Sequence, residues 1–156
     1  MFRSLIVVGF VLALASCDSN RVYETNKDFD DGLWSVSDTA KFTFIIDDTT
    51  QAYNVLVNVR NTSDYETARL FMNYSLADSS GRILNKKLLE PFLFDRKTGE
   101  PFGESGIGDI FSHQLVTESA KRFPYRGQYR VLLNQAMRTD TLTNVLSVGV
   151  RVEGVN

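Results

Sequence analysis

Alternation of apolar and polar side chains with a period of two is the feature that most limits what this chain can form. In the first such segment, Phe42, Phe44 and Ile46 share one side while Lys41 and Thr43 take the other. This period places the apolar set on one face, which is typical of a half-buried β-strand. The pattern occurs in segments 40–46, 53–59, 70–76, 129–137 and 142–152.

The succession of these segments predicts an all-β fold, a single antiparallel β-sandwich over residues 39–156. Turn-forming clusters separate the predicted strands, and no helices alternate with them. Immunoglobulin-like and jelly-roll topologies both fit this pattern. The middle of the chain is less regular, because Pro91 favours a sheet edge or a bend and four glycines between 99 and 109 favour a loop or a kinked strand. Segment 110–118 is a candidate for one more strand.

Residues 1–17 have the features of a bacterial lipoprotein signal peptide. Arg3 precedes an uncharged apolar run over residues 5–14, which is shorter than the roughly 20 residues that a membrane-spanning helix requires. Residues 14–17 (LASC) match the lipobox, and Cys17 is the only cysteine in the chain. We therefore predict that residues 1–16 are removed and that Cys17 is acylated. An ordinary secretory signal, cut after Ala15 or Ser16, is the alternative.

Acylation at Cys17 would attach the protein to a membrane permanently. Each buried methylene contributes about 0.8 kcal/mol, and a mature bacterial lipoprotein normally carries three chains. Removal of residues 1–16 from the 156-residue chain leaves 140 residues, which is enough for one domain with its own core. Without Arg3 the chain has sixteen basic and nineteen acidic residues and no basic stripe, which argues against a nucleic acid partner.

Residues 17–38 are predicted to be the lipidated N-terminus followed by a polar tether. This stretch is acidic around residues 28–31 and has little apolar surface to bury. Segment 28–32 superficially resembles a calcium loop, but it lacks the ligand spacing and the distal glutamate of an EF-hand. Trp34 lies near the end of the stretch, where we expect the tether to dock on the domain.

Residue types that support catalysis or metal binding are sparse. His113 is the only histidine, so the clustered histidines and cysteines of a zinc site are absent, and His113 is expected to be a polar strand residue. Segment 103–106 (GESG) lacks the spacing of a nucleophile elbow, and Pro101 stands where a phosphate loop requires a strand. We predict no enzyme activity, no metal, no cofactor and no small-molecule substrate.

Aromatic side chains are the strongest candidates for contacts with a partner. Segment 122–126 (RFPYR) combines arginine, aromatic rings and a proline that limits the entropy lost on docking. The other interpretation is that most of the aromatic residues belong to the core of a small sandwich. The predicted partner-binding residues are Trp34, Arg122, Phe123, Tyr125 and Arg126, and the wider set of candidate exposed aromatics adds Tyr53, Tyr65 and Phe102.

Three stretches carry a resemblance to a known family. They are Val57–Thr62 with Asp64-Tyr65, then Gly103–Ile110, and finally segment 127–138 continuing to Val148–Val152. With the lipobox and Trp34, they resemble the GldH family of gliding-motility lipoproteins of Bacteroidetes over nearly all of the mature chain. The family often has a tryptophan in its glycine stretch, where this chain has Phe102.

The resemblance implies a non-enzymatic, membrane-anchored lipoprotein that supports gliding motility and the linked type IX secretion machinery through contacts with other proteins. It implies the outer membrane, on its periplasmic face, with the inner membrane as the alternative. Thr39 and Thr141 fit the O-glycosylation pattern of that phylum and are candidate acceptors. The rival from another class is a surface glycan-binding lipoprotein, whose aromatic rings would stack on sugars. A lipid-anchored glycan hydrolase would need two convergent carboxylates.

Overall fold

The computed structural model of the protein describes residues 18–155, so the predicted signal peptide and Cys17 lie outside the described residues. Over this range the fold is all-β with antiparallel sheets, and the prediction of a β-sandwich is confirmed. Within residues 18–155, no helix has the length and apolar character needed to cross a membrane.

Eleven strands are present in the described part of the chain. A single 3-10 turn, Asp30–Gly32, links the first two. The strands are β1 (Arg21–Asp28), β2 (Trp34–Ser35), β3 (Ala40–Ile46), β4 (Ala52–Thr62), β5 (Met72–Asp78), β6 (Ile83–Leu89), β7 (Glu104–Ser105), β8 (Ile110–Lys121), β9 (Gly127–Gln135), β10 (Thr141–Leu142) and β11 (Val145–Val155).

Two sheets form the layers of the sandwich. The first has the strand order β1-β11-β4-β8-β7, the second has the order β3-β9-β5-β6, and β2 pairs only with β10. The core lies between them, where valines of β4 and β11 meet aromatic residues of β3 and β9 such as Phe42, Phe44 and Tyr129. The predicted alternation is confirmed in β3, where every second side chain is buried.

The polar tether predicted for residues 17–38 is wrong from residue 21 onward. Segment 21–28 is the edge strand β1, which pairs with β11 from Tyr23 opposite Val152 to Asp28 opposite Ser147. An edge strand requires a backbone ladder and only a modest apolar face, so its polar composition concealed it. The chain then turns inward, and Phe29 and Trp34 enter the core. The folded domain therefore includes the segment that precedes residue 39.

The irregular middle of the chain forms a strap along one edge of the first sheet. Strand β6 ends before Pro91, and residues 90–109 continue through isolated bridges to the short strand β7. Strand β8, predicted over 110–118, runs on to Lys121. The backbone N–H of Ser63 donates to the carbonyl of Asp109 at 2.9 Å, which fixes the end of the strap to the loop after β4.

Candidate functional site

Trp34 is not available for contact with a partner, in contrast to its predicted role. Its side chain is fully buried and stacks on the ring of Phe29, with ring centroids 4.9 Å apart. The indole Nε1–H donates to the carbonyl of Asp38 at 2.9 Å. The ring thus joins the segment before β3 to the core, and the structure gives it a role in folding.

The predicted binding loop at residues 122–126 is divided between core and surface. Phe123 is buried, and its ring centroid lies 4.5 Å from that of Tyr129. Tyr125 is half-buried and stacks on the other side of the same residue, whereas Arg122 and Arg126 are exposed. The loop therefore presents two guanidinium groups and one edge of a tyrosine.

The other predicted site residues also differ in accessibility. Thr141 is exposed, whereas Thr39 is half-buried and its hydroxyl accepts a hydrogen bond from the Asn134 amide. Tyr53 and Tyr65 are buried in the core, as the interpretation of the aromatic residues as core predicts. Cys17 lies outside the described residues, so its acylation stays a prediction.

A concave surface lies on the outer face of the five-stranded sheet. We call it the sheet groove; its volume is about 580 Å³. Strands β1, β4 and β8 supply its floor, and the strap forms its rim. The residues that line it with side chains are Glu24, Asn26, Asn58, Arg60, Phe92, Phe102, Glu104, Ser112, His113, Gln114 and Leu115.

A ladder of hydrogen bonds crosses the floor of the groove from one strand to the next. The Gln114 amide donates to Asn58 Oδ1 at 3.0 Å, and the Asn58 amide donates to Glu24 Oε1 at 3.1 Å. The second oxygen of Glu24 accepts from Arg151 Nη1 at 3.1 Å. Arg151 also bonds Glu153 Oε2 through its Nε at 2.9 Å. These contacts fix polar side chains before any partner arrives, which lowers the entropy cost of binding.

Two glycines let the backbone approach closely around this groove. A Cβ built on Gly103 would lie 2.7 Å from both the Ser112 carbonyl oxygen and the His113 Cε1 atom. A Cβ on Gly149 would lie 1.8 Å from Oδ1 of Asn26. Both distances are far below van der Waals contact, so any side chain at Gly103 would push the strap away from β8.

His113 lies under the strap, where Gly103 closely approaches its ring. Burial lowers its pKa, because the charged imidazolium is poorly solvated there. The Asn61 amide nitrogen donates to the carbonyl of Thr62, so Asn61 Oδ1 is the acceptor for His113 Nε2 at 2.9 Å. This assigns the ring proton to Nε2 and confirms that His113 is a polar strand residue.

The strap presents apolar side chains beside the polar floor. Phe102 is 61 % exposed and Ile107 is 94 % exposed. Phe92 is held against Arg69, whose guanidinium carbon lies 4.0 Å from the ring centroid. An exposed aromatic next to ordered polar groups is the composition of protein interaction surfaces. Among residues 18–155, no three His, Cys, Asp or Glu side chains are grouped so as to hold a metal ion.

Comparison with known proteins identifies the family. Residues 21–152 match the sequence profile described as GldH lipoprotein. The chain belongs to the GldH lipoprotein family. The chain is 26 % identical over 159 residues to a gliding motility lipoprotein GldH homolog of Christiangramia forsetii, covering 97 % of this chain and 95 % of the relative. It is 27 % identical over 158 residues to the gliding motility lipoprotein GldH of Flavobacterium johnsoniae, covering 97 % and 96 %.

Family membership confirms the resemblance found in the sequence and makes the protein a gliding-motility lipoprotein. Among solved structures, the chain has limited similarity to dimeric latent PorU from Porphyromonas gingivalis, with a TM-score of 0.37 at 9 % identity over 86 % of this chain and 13 % of that one. For the VP2 subviral particle of infectious bursal disease virus, the TM-score is 0.39 at 15 % sequence identity, covering 96 % of this chain and 37 % of the viral chain. Both scores are too low to carry an argument.

Proposed function

We propose that this protein is a non-enzymatic, membrane-anchored lipoprotein whose sheet groove binds another protein of the gliding and type IX secretion machinery. Family membership supports the process, and the groove supports the mode of action. The observation that carries the proposal is that exposed Phe102 lines the same groove as the ordered hydrogen-bond ladder at Glu24 and Asn58, with Ile107 exposed on the adjoining strap.

The groove fits a protein partner because it offers both kinds of contact that such partners use. Phe102 supplies an aromatic ring that a partner would bury, which is the usual character of an energetic hot spot. Arg60 and Glu104 lie in the same groove and carry opposite charges. They would select a partner with complementary charges and fix its orientation.

Acyl chains on Cys17 would hold the protein in the outer membrane, on the periplasmic face, with the inner membrane as the alternative. The segment after Cys17 carries one acid, Asp18, and then the basic Arg21, which is unlike a run of acids. A periplasmic position would place the groove where other envelope proteins can reach it. Fractionation of the two membranes, followed by protease treatment of intact cells, tests this location.

A gene deletion in the native bacterium tests the function, with colony spreading and the secreted protein profile measured together. Complementing forms are wild type, Cys17→Ala, the groove variant Phe102→Ala/Ile107→Ala, and the control Ile45→Ala/Leu88→Ala. The control removes two apolar side chains, each 52 % exposed, from the outer face of the four-stranded sheet. We expect the control to restore spreading and secretion and the other two variants to fail.

Normal spreading and secretion in the deletion strain would overturn the machinery role. Full activity of a groove variant that accumulates to wild-type level would overturn the groove as the binding site. The groove variant and the control each change two exposed side chains, so both leave the core intact. Immunoblots of each strain separate loss of binding from loss of protein.

One observation favours the rival function, a surface glycan-binding lipoprotein. Phe102 lines the same groove as Asn58 and Gln114, and sugars are bound by aromatic rings together with amide side chains. A glycan array with the wild-type chain and with Phe102→Ala tests this. Binding that depends on Phe102, together with exposure on intact cells, would favour the glycan function over protein docking.

A further inference from the structure

We infer that one end of the sandwich rests on the phospholipid headgroups of the leaflet that holds the acyl chains, so that the domain stands on the membrane in one orientation. This anchor end consists of the loops at residues 47–51, 79–82 and 122–126. The inference rests on the proposed acylation of Cys17. It adds the surface that contacts the membrane and the height of the groove above it, neither of which follows from acylation alone.

The chain is tied to the sheet almost as soon as the predicted anchor ends. The Asp18 carboxylate pairs with Arg151, and the carbonyl of Asn20 accepts a hydrogen bond from the Gly154 N–H at 2.7 Å. Arg21 N–H donates to the carbonyl of Asp18 at 3.2 Å, which closes a turn before β1. No long tether therefore separates residue 18 from the domain.

Covalent geometry then limits the distance between lipid and fold. The Cα atom of Cys17 lies about 3.8 Å from that of Asp18, since they are neighbours in the chain. A free tether of 20 residues would reach about 65–70 Å, at roughly 3.3 Å per residue. The attachment point of the acyl chains is thus held close to the end of the sheet where β1 begins.

Strand register shows which loops share that end. Arg21 lies opposite Glu153, and Tyr53 lies opposite both Gly154 and Lys121. The start of β1, the end of β11, the start of β4 and the end of β8 therefore lie in one row. In the other sheet, Ile46 lies opposite Gly127 and Asp78 opposite Tyr129, so β3 and β5 end where β9 begins.

Aromatic contacts show that the two rows belong to the same end of the sandwich. The ring of Phe123 lies 5.8 Å from Tyr53 of the first sheet and 5.9 Å from Phe44 of the second. The loop at 47–51 joins β3 to β4 directly beside them. The three loops and residues 18–20 thus form one surface, and it is the surface nearest to Cys17.

The anchor end has groups that suit phospholipid headgroups. Arg82, Arg122 and Arg126 are exposed, and a guanidinium binds phosphate oxygens in a planar, two-point geometry. Two carboxylates of this end have partners within the domain: Asp78 accepts from Arg82 Nε and from Ser80, and Asp48 bonds the backbone and hydroxyl of Thr50. A third carboxylate, Asp47, is exposed, and Arg122 donates through Nη1 to the carbonyl of Thr50. We assign the holding force to the acyl chains and the orientation to these arginines.

The sheet groove then opens sideways on the sheet face, and its rim is raised above the bilayer. Its rim lies beside Ser112, whereas β8 ends at Lys121 on the anchor end. Nine residues of strand at about 3.3 Å each place the rim roughly 30 Å above the headgroups. A partner bound at the groove would therefore be held at a fixed height above the membrane.

Quenching by lipid-bound probes tests this orientation with the full, acylated protein in phosphatidylethanolamine–phosphatidylglycerol vesicles. Cys17 is the only native cysteine and is blocked when acylated, so single fluorophores can be attached to Pro124→Cys at the anchor end or to Ile107→Cys on the strap. With nitroxide on the headgroups, we expect quenching at residue 124 to exceed that at residue 107 by about threefold or more, because their heights differ by roughly 30 Å.

Two controls separate orientation from simple attachment. A flexible insert of twelve glycine and serine residues between Cys17 and Asp18 is expected to make quenching at the two positions nearly equal. Replacing Arg122 and Arg126 with glutamate in the uninserted protein should reduce quenching at residue 124. Equal quenching at residues 124 and 107 in the uninserted protein would overturn the inference.

Mass analysis of the same preparation distinguishes failure of this inference from failure of the proposed anchor. An unmodified Cys17 in protein from the native membrane would overturn both. An acylated Cys17 with no difference between the two labelled positions would overturn the orientation alone and leave the lipoprotein function intact. Quenching at residue 107 above that at residue 124 would mean that the domain lies with its strap on the membrane, which also overturns the inference.

Discussion

Replacing Trp34 tests whether this residue serves folding or binding. Trp34→Ala removes a fully buried ring that stacks on Phe29 and leaves the carbonyl of Asp38 without its indole donor. Truncation of a buried tryptophan costs about 3–5 kcal/mol. Loss of the hydrogen bond adds about 1 kcal/mol. We therefore expect the free energy of unfolding to fall by about 4–6 kcal/mol.

Trp34→Phe is the matched control, because it keeps a ring on Phe29 but removes the indole N–H. We expect it to cost about 1–2 kcal/mol, chiefly through the unsatisfied carbonyl of Asp38. In a domain of this length, 1 kcal/mol corresponds to about 3–4 °C in melting temperature. Trp34→Ala should then melt about 12–24 °C below wild type, and Trp34→Phe about 3–8 °C below it.

The assay is thermal unfolding followed by far-ultraviolet circular dichroism, on chains that begin at residue 17 with Cys17→Ser. Wild type offers a second observable, since Trp34 is the only tryptophan and its emission should shift to longer wavelength on unfolding. A melting temperature of Trp34→Ala within about 4 °C of wild type would refute the packing argument. If that variant also failed to support spreading, a role in binding would return.

Three further changes have defined outcomes. Gly103→Ala should lower the free energy of unfolding by about 1–3 kcal/mol, because its Cβ would overlap a carbonyl oxygen and an imidazole carbon. Gly106→Ala should lower it less, because the nearest atom to its Cβ is 3.3 Å away. Thermal unfolding of the two variants compares these losses. Burial lowers the pKa of His113 in the folded state, so the unfolded state takes up a proton first as the pH falls. The free energy of unfolding of wild type should therefore decrease below about pH 6.5, by at most about 1.4 kcal/mol per pH unit. Urea titrations at several pH values should show that His113→Gln flattens this dependence. Arg151→Ala should lower the free energy of unfolding by about 1–3 kcal/mol, because three carboxylates lose their shared partner. High salt should restore part of this stability by screening the repulsion among the carboxylates. Arg21→Ala should lower the free energy of unfolding by only about 0–1 kcal/mol.

Each of these outcomes has a clear opposite. Equal melting temperatures for the two glycine variants would mean that the strap does not press on β8. A pH profile that is the same with and without His113 would assign the acid sensitivity to other groups. Equal losses for Arg151→Ala and Arg21→Ala would show that the charge network on the outer face contributes no more than an exposed pair.

The sequence predicted those strands whose inward faces are purely apolar. Strands β3 and β4 alternate clearly, because one face of each lies in the core. Strand β1 was missed because its inward set includes Lys27, whose amine leaves the core to pair with Asp38. Lys87 of β6 likewise reaches out to Glu118. A lysine stem covers apolar surface while its charge stays near water or a partner, so the period of two is hidden.

The candidate site could not be located from local patterns. The ladder joins Gln114, Asn58, Glu24 and Arg151, which come from four strands far apart in the sequence. Which aromatic residue is exposed also depends on distant contacts, because Trp34 is buried by its stack on Phe29 and by the two sheets that close around it. Composition offered several aromatic residues as candidates for partner contact, whereas only the fold shows that Phe102 is the aromatic residue most exposed in the described chain.

The antiparallel pairing of β1 with β11 has a mechanical consequence. Tension between an anchor before residue 18 and a partner at the groove would pull along the strand axis. The hydrogen bonds of an antiparallel ladder run perpendicular to that axis. The hydrogen bonds from Tyr23 to Asp28 would therefore bear the force together, in shear. They would not break one after another, as they would if the force peeled the strand away sideways. Under the proposed anchorage and partner contact, this edge strand would transmit force into the domain without unravelling it.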